Sequence, residues 1–431
     1  MARRERSGPR KGGARAHGPP RKEHGPPRKE HGPPRKEHGP PRKERSRPVG
    51  ERDERQARAR RAQSARKQEQ ARPPERRVFP IVPPASPAPA RAGEWLFTTR
   101  AGAEQDLIEE LYFLDERSQP RPAGEALVAA AERPRRGPEL TELAFARQGF
   151  LVGETLAAPT AASVAGAVRR ALDRAGAPQP WALDAWVPDS DAGNRLSNAA
   201  AALEALDPAA LGRWAQHRVA NARAAFAENG LYAQVCLTSP DHAAVGAGFA
   251  RDAPSLAPGG RLRVHVPEAA PSRAAMKLVE ALTWLDRAPE PGDLCVDLGA
   301  APGGWTWVLL ERRARVIAVD PARLAHSLDG KKGLLHLRAD AFRFTPDETD
   351  PADWLFCDMA WRPLEAAGLL AKWARRKWAR LLVANIKLPM RKKAEHLFRV
   401  REILEDAGWT SLRARQLYHD RDEVTIGAVR I

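Results

Sequence analysis

The segment LCVDLGAAPGGWTWVLLERR at residues 294–313 constrains the fold more than any other part of the chain. LCVDL predicts a short buried strand, GAAPGGW predicts a glycine-rich turn, and TWVLLERR opens a helix. VIAVD at residues 316–320 predicts the next strand, which ends in Asp320. In a doubly wound α/β domain, glycines at such a turn let the backbone approach a ligand, and a strand-end acid binds a ribose diol. The pattern therefore predicts a site for a nucleoside-like cofactor.

Two details of this loop favour S-adenosylmethionine over a dinucleotide. The loop does not read GxGxxG, which is the form that cradles a pyrophosphate. Asp297 lies at the start of the loop, where a carboxylate would repel a pyrophosphate but suits a sulfonium and an amino group. A nicotinamide-dependent oxidoreductase remains the alternative enzyme class, because a strand-end acid serves both cofactors.

Further strands follow at the spacing of an open parallel sheet. GLLHLRAD (residues 333–340) ends in Asp340, DWLFCDM (residues 353–359) ends near Asp358, and RLLVANIKL (residues 380–388) carries Lys387. Ligands bind at the carboxyl ends of strands in such sheets, so these side chains are predicted to meet at one edge. Lys387 interrupts an apolar strand. It is a candidate general base whose pKa burial and a nearby cation would lower, and Lys277 is the candidate cation.

Several segments together resemble one family over about residues 94–431. They are FARQGFLVGE, APSRAAMKL, DLGAAPGGWT, AVD, FCDM, NIKLPMRKK and ARQLYHDRDEVT. The chain is identified by them as a member of the bacterial 23S rRNA 2′-O-ribose methyltransferases, the ribosomal RNA large subunit methyltransferase M family. Two positions depart from the family pattern, because Ala301 replaces a Cys of the loop and Ala274 replaces a Ser.

The resemblance implies a fold, a reaction and a set of site residues. It implies a Rossmann-like methyltransferase domain of the FtsJ type, preceded by an α+β RNA-binding region that contains a THUMP domain. It implies S-adenosylmethionine-dependent 2′-O-methylation of a nucleotide in 23S rRNA, a cytidine of the peptidyl-transferase region. The implied catalytic tetrad is Lys277, Asp358, Lys387 and Glu423. The expected cofactor residues are Asp297, Gly299, Ala301, Pro302, Gly303, Gly304, Trp305, Asp320, Asp340 and Asp358.

Charge divides the chain into an N-terminal tail and a neutral remainder. Residues 1–93 hold 27 Lys and Arg against 10 Asp and Glu, which equals the whole net charge of +17. Residues 17–44 repeat HGPPRKE four times, and Gly-Pro-Pro in each unit opposes a helix. We expect a disordered tail over residues 1–93. It is either a flexible polycation for RNA phosphates or a tolerated expansion with weak affinity.

The rest of the expected organisation is an RNA-binding region at 94–265 and a methyltransferase domain at 266–431. In the first of these, residues 160–175 and 208–228 are predicted helical, and residues 231–240, 243–250 and 261–267 are predicted strands. Two basic segments, KWARRKWAR (residues 372–380) and RKK (residues 391–393), are predicted either to hold RNA phosphates beside the reacting ribose or to form solvated surface.

Composition excludes several other classes. No apolar run is long enough to span a membrane, and the basic N-terminus is not followed by an apolar signal segment. The three cysteines form no CxxC pair, so we expect neither a disulfide framework nor a metal site. The cysteine pattern favours a cytoplasmic protein, we expect a monomer, and the family resemblance implies that it binds 23S rRNA. A non-catalytic rRNA-binding assembly factor is the remaining alternative.

Overall fold

The computed structural model describes residues 78–136, 139–140, 142–346 and 351–430. The predicted tail up to residue 77 therefore lies outside the described residues. Residues 78–93, which were also assigned to the tail, contact the body of the protein. The ring of Phe79 lies 5.0 Å from that of Phe113, Val82 packs against the core, and Ala88 N–H donates to Pro122 O at 3.0 Å. The predicted boundary at residue 93 thus falls inside a segment that packs on the body.

The first layer is a small antiparallel sheet with one helix. Its strands pair in the order β2-β3-β1-β6, and a short hairpin, β4 with β5, precedes β6. The elements in chain order are β1 (Trp95–Thr98), α1 (Glu104–Leu114), β2 (Arg121–Gly124), β3 (Leu127–Ala130), β4 (Arg135–Arg136), β5 (Glu139–Leu140) and β6 (Gln148–Leu151). The apolar residues of α1 recur at helical spacing, so Leu107, Ile108 and Leu111 lie on one buried face.

The second layer is a four-stranded sheet in the order β7-β10-β9-β8, with its own hydrophobic core. Its elements are β7 (Glu154–Ala157), α2 (Ala161–Ala175), β8 (Trp181–Trp186), α3 (Asp191–Asn194), α4 (Ser197–Ala202), α5 (Pro208–Leu211), α6 (Ala222–Ala227), β9 (Leu231–Ser239) and β10 (His242–Phe249). Thr160 and Ser163 form a reciprocal cap that starts α2. The predicted helix and hairpin here are confirmed.

One local prediction in this region holds only in part, and another is wrong. Residues 208–228 are mostly helical as predicted, but they form three pieces: α5, a 3₁₀ helix at Gly212–His217 and α6. Gly212 adopts a positive φ of 56°, and Asn221 caps a new helix. Residues 261–267 form no strand. Arg261 donates to the carbonyl of Pro188 at 3.0 Å and Val266 packs on a neighbouring core, so the alternating pattern reflects an extended connection held by side chains.

The third layer is a seven-stranded, mostly parallel sheet in the order β13-β12-β11-β14-β15-β17-β16. Its elements are α7 (Ala274–Leu285), β11 (Leu294–Leu298), α8 (Gly304–Glu311), β12 (Arg315–Val319), β13 (Leu334–Leu337), β14 (Ala352–Cys357), α9 (Pro363–Arg375), β15 (Ala379–Lys387), α10 (Lys393–Asp406), β16 (Trp409–Arg415) and β17 (Glu423–Arg430). β17 runs antiparallel to β15 and β16. The predicted Rossmann-like arrangement is confirmed, and β16 is a strand that the sequence reasoning missed.

The first layer and the third layer share one core. Phe97, Leu107 and Leu111 belong to the same buried cluster as Trp373 of α9 and Leu397 of α10. The indole N–H of Trp284 and the guanidinium of Arg413 also bind Glu142, which joins the two layers through polar contacts. The free thiols of Cys236, Cys295 and Cys357 are all buried.

Candidate active site

The loop after β11 turns sharply because two of its glycines adopt positive φ. Gly299 has φ 75°, and a Cβ there would lie 2.5 Å from Met359 Cγ. Gly303 has φ 109°, and a Cβ there would lie 2.3 Å from Leu328 Cδ1. L-residues with a side chain rarely adopt this conformation, so both positions require glycine. The helix α8 begins directly after this turn, at Gly304, and the Ala301–Pro302 peptide is cis.

The residues flanking this loop hold it in place. Asp297 is buried and accepts a hydrogen bond from Thr306 Oγ1 at 2.6 Å. Burial, with the charges of Asp358 and Asp320 adding to it, raises the pKa of Asp297 to about 7. The buried indole of Trp305 donates to Ala274 O at 3.0 Å. Ala274 is the position where the family resemblance implies a Ser, and its backbone carbonyl therefore has a structural partner in the loop. Asp297 and Trp305 therefore brace the loop from inside.

Asp320 and Asp340 follow two neighbouring parallel strands, β12 and β13. The carboxylate of Asp320 accepts one hydrogen bond from Ala301 N at 3.1 Å and one from Ala322 N at 2.7 Å. A carboxylate has about four acceptor sites, so two remain for a ribose diol. Asp340 is exposed and accepts from Phe342 N at 2.9 Å, and the Phe342 ring lies 5.2 Å from that of Trp361. The chemistry of these donors and acceptors fits a nucleoside with a cationic sulfonium, as S-adenosylmethionine has.

The four predicted catalytic residues meet beside this loop. Lys277 from α7 donates to Glu423 Oε1, and Lys387 at the end of β15 donates to Glu423 Oε2 at 2.9 Å. Asp358 after β14 lies 4.0 Å from Lys277 Nζ. The side chain of Glu423 is 3% exposed, that of Lys277 is 17% exposed and that of Lys387 is 38% exposed. One buried carboxylate thus holds two ammonium groups, and Lys387 is the more accessible of the two.

Charge interactions oppose burial within this cluster. Burial lowers the pKa of Lys277, but the carboxylates of Asp358 and Glu423 outweigh it and the net pKa is raised. Burial likewise raises the pKa of Glu423, but hydrogen bonds from Lys277 and Lys387 outweigh it and the net pKa is lowered. Lys277 and Glu423 are therefore charged at neutral pH.

Sequence reasoning missed a clamp on the segment that leads into β17. Glu280 of α7 accepts hydrogen bonds from Tyr418 N at 2.7 Å and His419 N at 2.9 Å. Arg147, which precedes β6 and is paired with Asp189, donates to Tyr418 O at 3.4 Å. No pattern in the sequence signals these contacts, because Glu280 and Arg147 lie far from Tyr418 along the chain.

The two basic segments lie at opposite ends of the parallel strands. KWARRKWAR lies at their amino ends, and RKK follows Lys387 at their carboxyl ends. Ala379, at the end of KWARRKWAR, pairs with Ala352 at the start of β14. Ala379 also begins β15, so it lies eight residues before Lys387 and about 26 Å from it along that strand. Of the two alternatives for KWARRKWAR, an RNA surface beside the reacting ribose is therefore wrong, because α9 returns the chain to the amino ends of the strands. Trp373 and Trp378 of this segment are buried, with Lys372 stacked on Trp378.

RKK, by contrast, follows β15 at the edge that carries Lys387. Lys393 is buried and forms an ion pair with Asp106 of α1 at 3.1 Å, and Leu388 N–H donates to Asp422 O at 2.8 Å. The loop is anchored at both ends and leaves Arg391 and Lys392 exposed. Met390 between these anchors is 95% exposed. A large apolar side chain and two cations are thus presented beside the candidate active site.

Comparison with known proteins places this geometry in a family. A model of the FtsJ-like methyltransferases matches residues 270–374. The ribosomal RNA large subunit methyltransferase M of Halorhodospira halophila is 37% identical over 356 residues, which cover 78% of this chain and 97% of that protein. The chain belongs to the ribosomal RNA large subunit methyltransferase M family. The methyltransferase M of Stenotrophomonas maltophilia is 38% identical and covers 78% of this chain and 90% of that protein.

Similarity is higher over a shorter stretch of another member. The methyltransferase M of Laribacter hongkongensis is 47% identical over 184 residues, which cover 40% of this chain and 52% of that protein. Solved structures are only weakly similar: fibrillarin of Aeropyrum pernix with bound S-adenosyl-L-methionine has a TM-score of 0.30 and 19% identity, over 46% of this chain and 82% of that chain. The family assignment therefore rests on the sequence relatives.

Membership of the methyltransferase M family confirms the predicted family, the FtsJ-like Rossmann fold and an S-adenosylmethionine-dependent methyltransferase. Among the described residues, no group of three or more His, Cys, Asp or Glu side chains could hold a metal ion. Within the same part of the chain, no helix combines the length and the apolar character that crossing a membrane requires.

Proposed function

We propose that this protein methylates a ribose 2′-hydroxyl of 23S rRNA, with Lys277, Asp358, Lys387 and Glu423 as its catalytic residues. The observation that carries the proposal is the sharing of Glu423 by two lysines beside the glycine-rich loop. Family membership favours this function over an oxidoreductase or a non-catalytic assembly factor. We propose free or early-assembly 23S rRNA as the substrate and a cytidine of the peptidyl-transferase region as the target.

The exposure of the two lysines assigns their roles. When bound, S-adenosylmethionine would supply an electrophilic methyl group and would keep the electron pair of the broken sulfur–methyl bond as a neutral thioether. Lys387, the more exposed amine, reaches the ribose hydroxyl and in its neutral form accepts the hydroxyl proton while the oxygen forms its new bond to carbon. Lys277 stays charged because Asp358 and Glu423 surround it, so it stabilises the negative charge that develops on the oxygen. Glu423 keeps both amines in one place, and this orientation supplies much of the rate.

The proposed cofactor site uses the loop at residues 299–305 and the strand-end acids. Backbone at Gly299, Gly303 and Gly304 approaches the cofactor, and the remaining acceptor sites of Asp320 bind its ribose. Asp340 with Phe342 borders the proposed base pocket. Ala301 and Pro302 contribute backbone only, so the proposed site accepts Ala at the position where the family resemblance implies Cys.

The proposed RNA surface begins at the anchored loop after Lys387. Arg391 and Lys392 bind phosphates, and the exposed thioether of Met390 packs on a base next to the target. A cleft of about 670 Å³ is a second candidate surface, lined by α7, β16 and residues 250–263 and including Arg223, Arg263 and Trp284. An RNA strand in this cleft would contact residues of both predicted regions.

The proposal also covers the domain organisation, the basic tail and the oligomeric state. Residues 94–265 are the proposed RNA-binding region with a THUMP-like domain, and residues 266–431 are the proposed methyltransferase domain. The basic tail adds affinity for phosphates without specificity, because phosphate contacts carry little sequence information. We propose a cytoplasmic monomer.

The deciding experiment compares two lysines at opposite edges of the same sheet. Lys387→Ala should lower the single-turnover rate on purified 23S rRNA by ~10²–10⁴, the usual contribution of a general base. Lys372→Ala removes a half-exposed lysine at the far edge and should leave the rate near that of the wild type. Ribose-methylation mapping identifies the product. Equal rates for both variants, or methylation of a base, would refute the proposal.

A further inference from the structure

A buried hydrogen-bond chain runs from Asp420 to the catalytic carboxylate Asp358. Asp420 is 2% exposed and lies between β16 and β17. Its Oδ2 lies 2.9 Å from Thr425 Oγ1, and Thr425 Oγ1 lies 2.7 Å from Asn385 Oδ1. The amide Nδ2 of Asn385 lies 3.3 Å from Asp358 Oδ1. Four side chains from three strand ends and one loop are thus linked in a row.

Counting hydrogens assigns a direction to this chain. The Thr425 hydroxyl carries one hydrogen but has an acceptor oxygen on each side. The amide of Asn385 must direct its NH₂ toward Asp358, because the opposite orientation would set its oxygen against a carboxylate. Asn385 Oδ1 therefore accepts the hydroxyl hydrogen of Thr425. The contact between Asp420 and Thr425 then needs a hydrogen from Asp420, which means that its carboxyl is protonated.

The surroundings of Asp420 support the protonated form. Burial raises its pKa well above the ordinary value, and the charge of Glu423 adds to this effect. The Leu417 N–H and the charge of Lys277 oppose it without reversing it. Asp420 Oδ1 has no hydrogen-bond partner among the described residues. An ionised carboxylate would leave that oxygen both charged and unsatisfied, which is costly in a buried site.

We infer that Asp420 is a positioning residue for methyl transfer, acting as a hydrogen-bond donor that fixes Asp358 through Thr425 and Asn385. The inference rests on the proposed function of the site and adds a role for three residues that the tetrad does not include. Asp358 in turn lies 4.0 Å from Lys277, so its orientation sets where the charged ammonium stands. The chain is therefore a support for the catalytic lysines that reaches them from the protein interior.

The test uses two pairs of matched variants in single-turnover methylation of 23S rRNA. Thr425→Val removes the hydroxyl at nearly constant shape and should lower the rate about tenfold, the effect of one lost buried hydrogen bond. Thr425→Ser keeps the hydroxyl and should stay near the wild-type rate. Asp420→Asn keeps a donor toward Thr425 and should be clearly faster than Asp420→Ala. Combining Asp420→Ala with Thr425→Val should add little further loss, because both break one chain.

A direct measurement separates this inference from the proposed function. The ¹³C resonance of the Asp420 carboxyl, assigned by its absence in Asp420→Asn, should show the protonated form at neutral pH whether or not the RNA is methylated. An ionised Asp420, or equal rates for Thr425→Val and Thr425→Ser, would overturn the inference. A protonated Asp420 in a wild-type protein that does not methylate 23S rRNA would instead count against the proposed function alone.

Discussion

Neutralising Glu423 should damage the active site more than any other single loss of charge in the cluster. Glu423→Gln keeps the shape but replaces one acceptor oxygen by an NH₂ that faces an ammonium group. Removing one partner of a buried ion pair costs ~3–5 kcal/mol. Lys277 still has Asp358 at 4.0 Å, so the loss of its ion pair with Glu423 should cost about 3 kcal/mol, the lower end of this range. Lys387 is 38% exposed, so water screens its ion pair with Glu423, and losing that pair should cost about 1 kcal/mol or less.

The same substitution frees Lys387 to leave its position. We expect the single-turnover rate to fall by about 10², which corresponds to ~2.7 kcal/mol of transition-state stabilisation. Glu405→Gln is the matched control, because Glu405 forms an exposed pair with Arg401 at 4.0 Å and should cost almost nothing. Urea unfolding and rapid-quench methylation of 23S rRNA measure the two effects. A variant with wild-type stability and rate would show that Glu423 does not hold the lysines.

The pH dependence of this effect has a definite sign. The pKa of Glu423 is lowered from its ordinary value of 4.5, because the hydrogen bonds from the two lysines outweigh burial. Its contribution to stability is therefore present above that value and is lost as the pH falls through the depressed pKa. The stability difference between the wild type and Glu423→Gln should shrink only under acidic conditions below the ordinary pKa.

Three further predictions concern the cofactor, the first layer and the tail. Asp320→Ala should weaken S-adenosylmethionine binding about 10- to 100-fold in calorimetry, because hydrogen bonds to a charged group contribute ~1.5–3 kcal/mol; unchanged affinity would remove Asp320 from the site. Burial raises the pKa of Glu110 to about 7, so its contribution to stability is full below 4.5 and is lost as the pH rises through 7, on the order of 3 kcal/mol. Glu110→Gln should therefore flatten the fall in unfolding free energy over that interval, and an unchanged slope in urea titrations would contradict this. Removing residues 1–77 should weaken RNA binding most at low salt and flatten its salt dependence, and a changed methylation site would show that the tail selects the target.

The chain-local part of the site could be predicted from the sequence. The strand, the glycine turn and the strand-end side chains Asp320, Asp358 and Lys387 follow from short patterns, and a parallel sheet gathers strand ends at one edge. The pairing of Lys277 with Glu423 came from family resemblance, since these residues lie far apart in the chain. The hydrogen-bond chain from Asp420 could not be predicted, because it depends on the register between β15 and β17, where Asn385 pairs with Thr425.

The position of the basic segment at residues 372–380 follows from how parallel strands are connected. A helix that connects two parallel strands must return the chain to the starting edge, so the end of α9 cannot lie beside Lys387. Trp373 and Trp378 of this segment are buried in the core between α9 and the sheet. The spacing of the two Trp residues in the sequence is the same whether they pack in a core or bind RNA.

The core that α1 shares with α9 and α10 fixes how target choice can work. Domains that meet through a large hydrophobic core do not hinge against each other. The first layer, whose Asp106 anchors the loop after Lys387, therefore stands at a constant distance from the reacting amine. If the first layer binds the RNA as proposed, the distance from the bound RNA segment to the reacting amine is fixed by the protein. The proposed target ribose is then the one that the folded RNA presents at that distance.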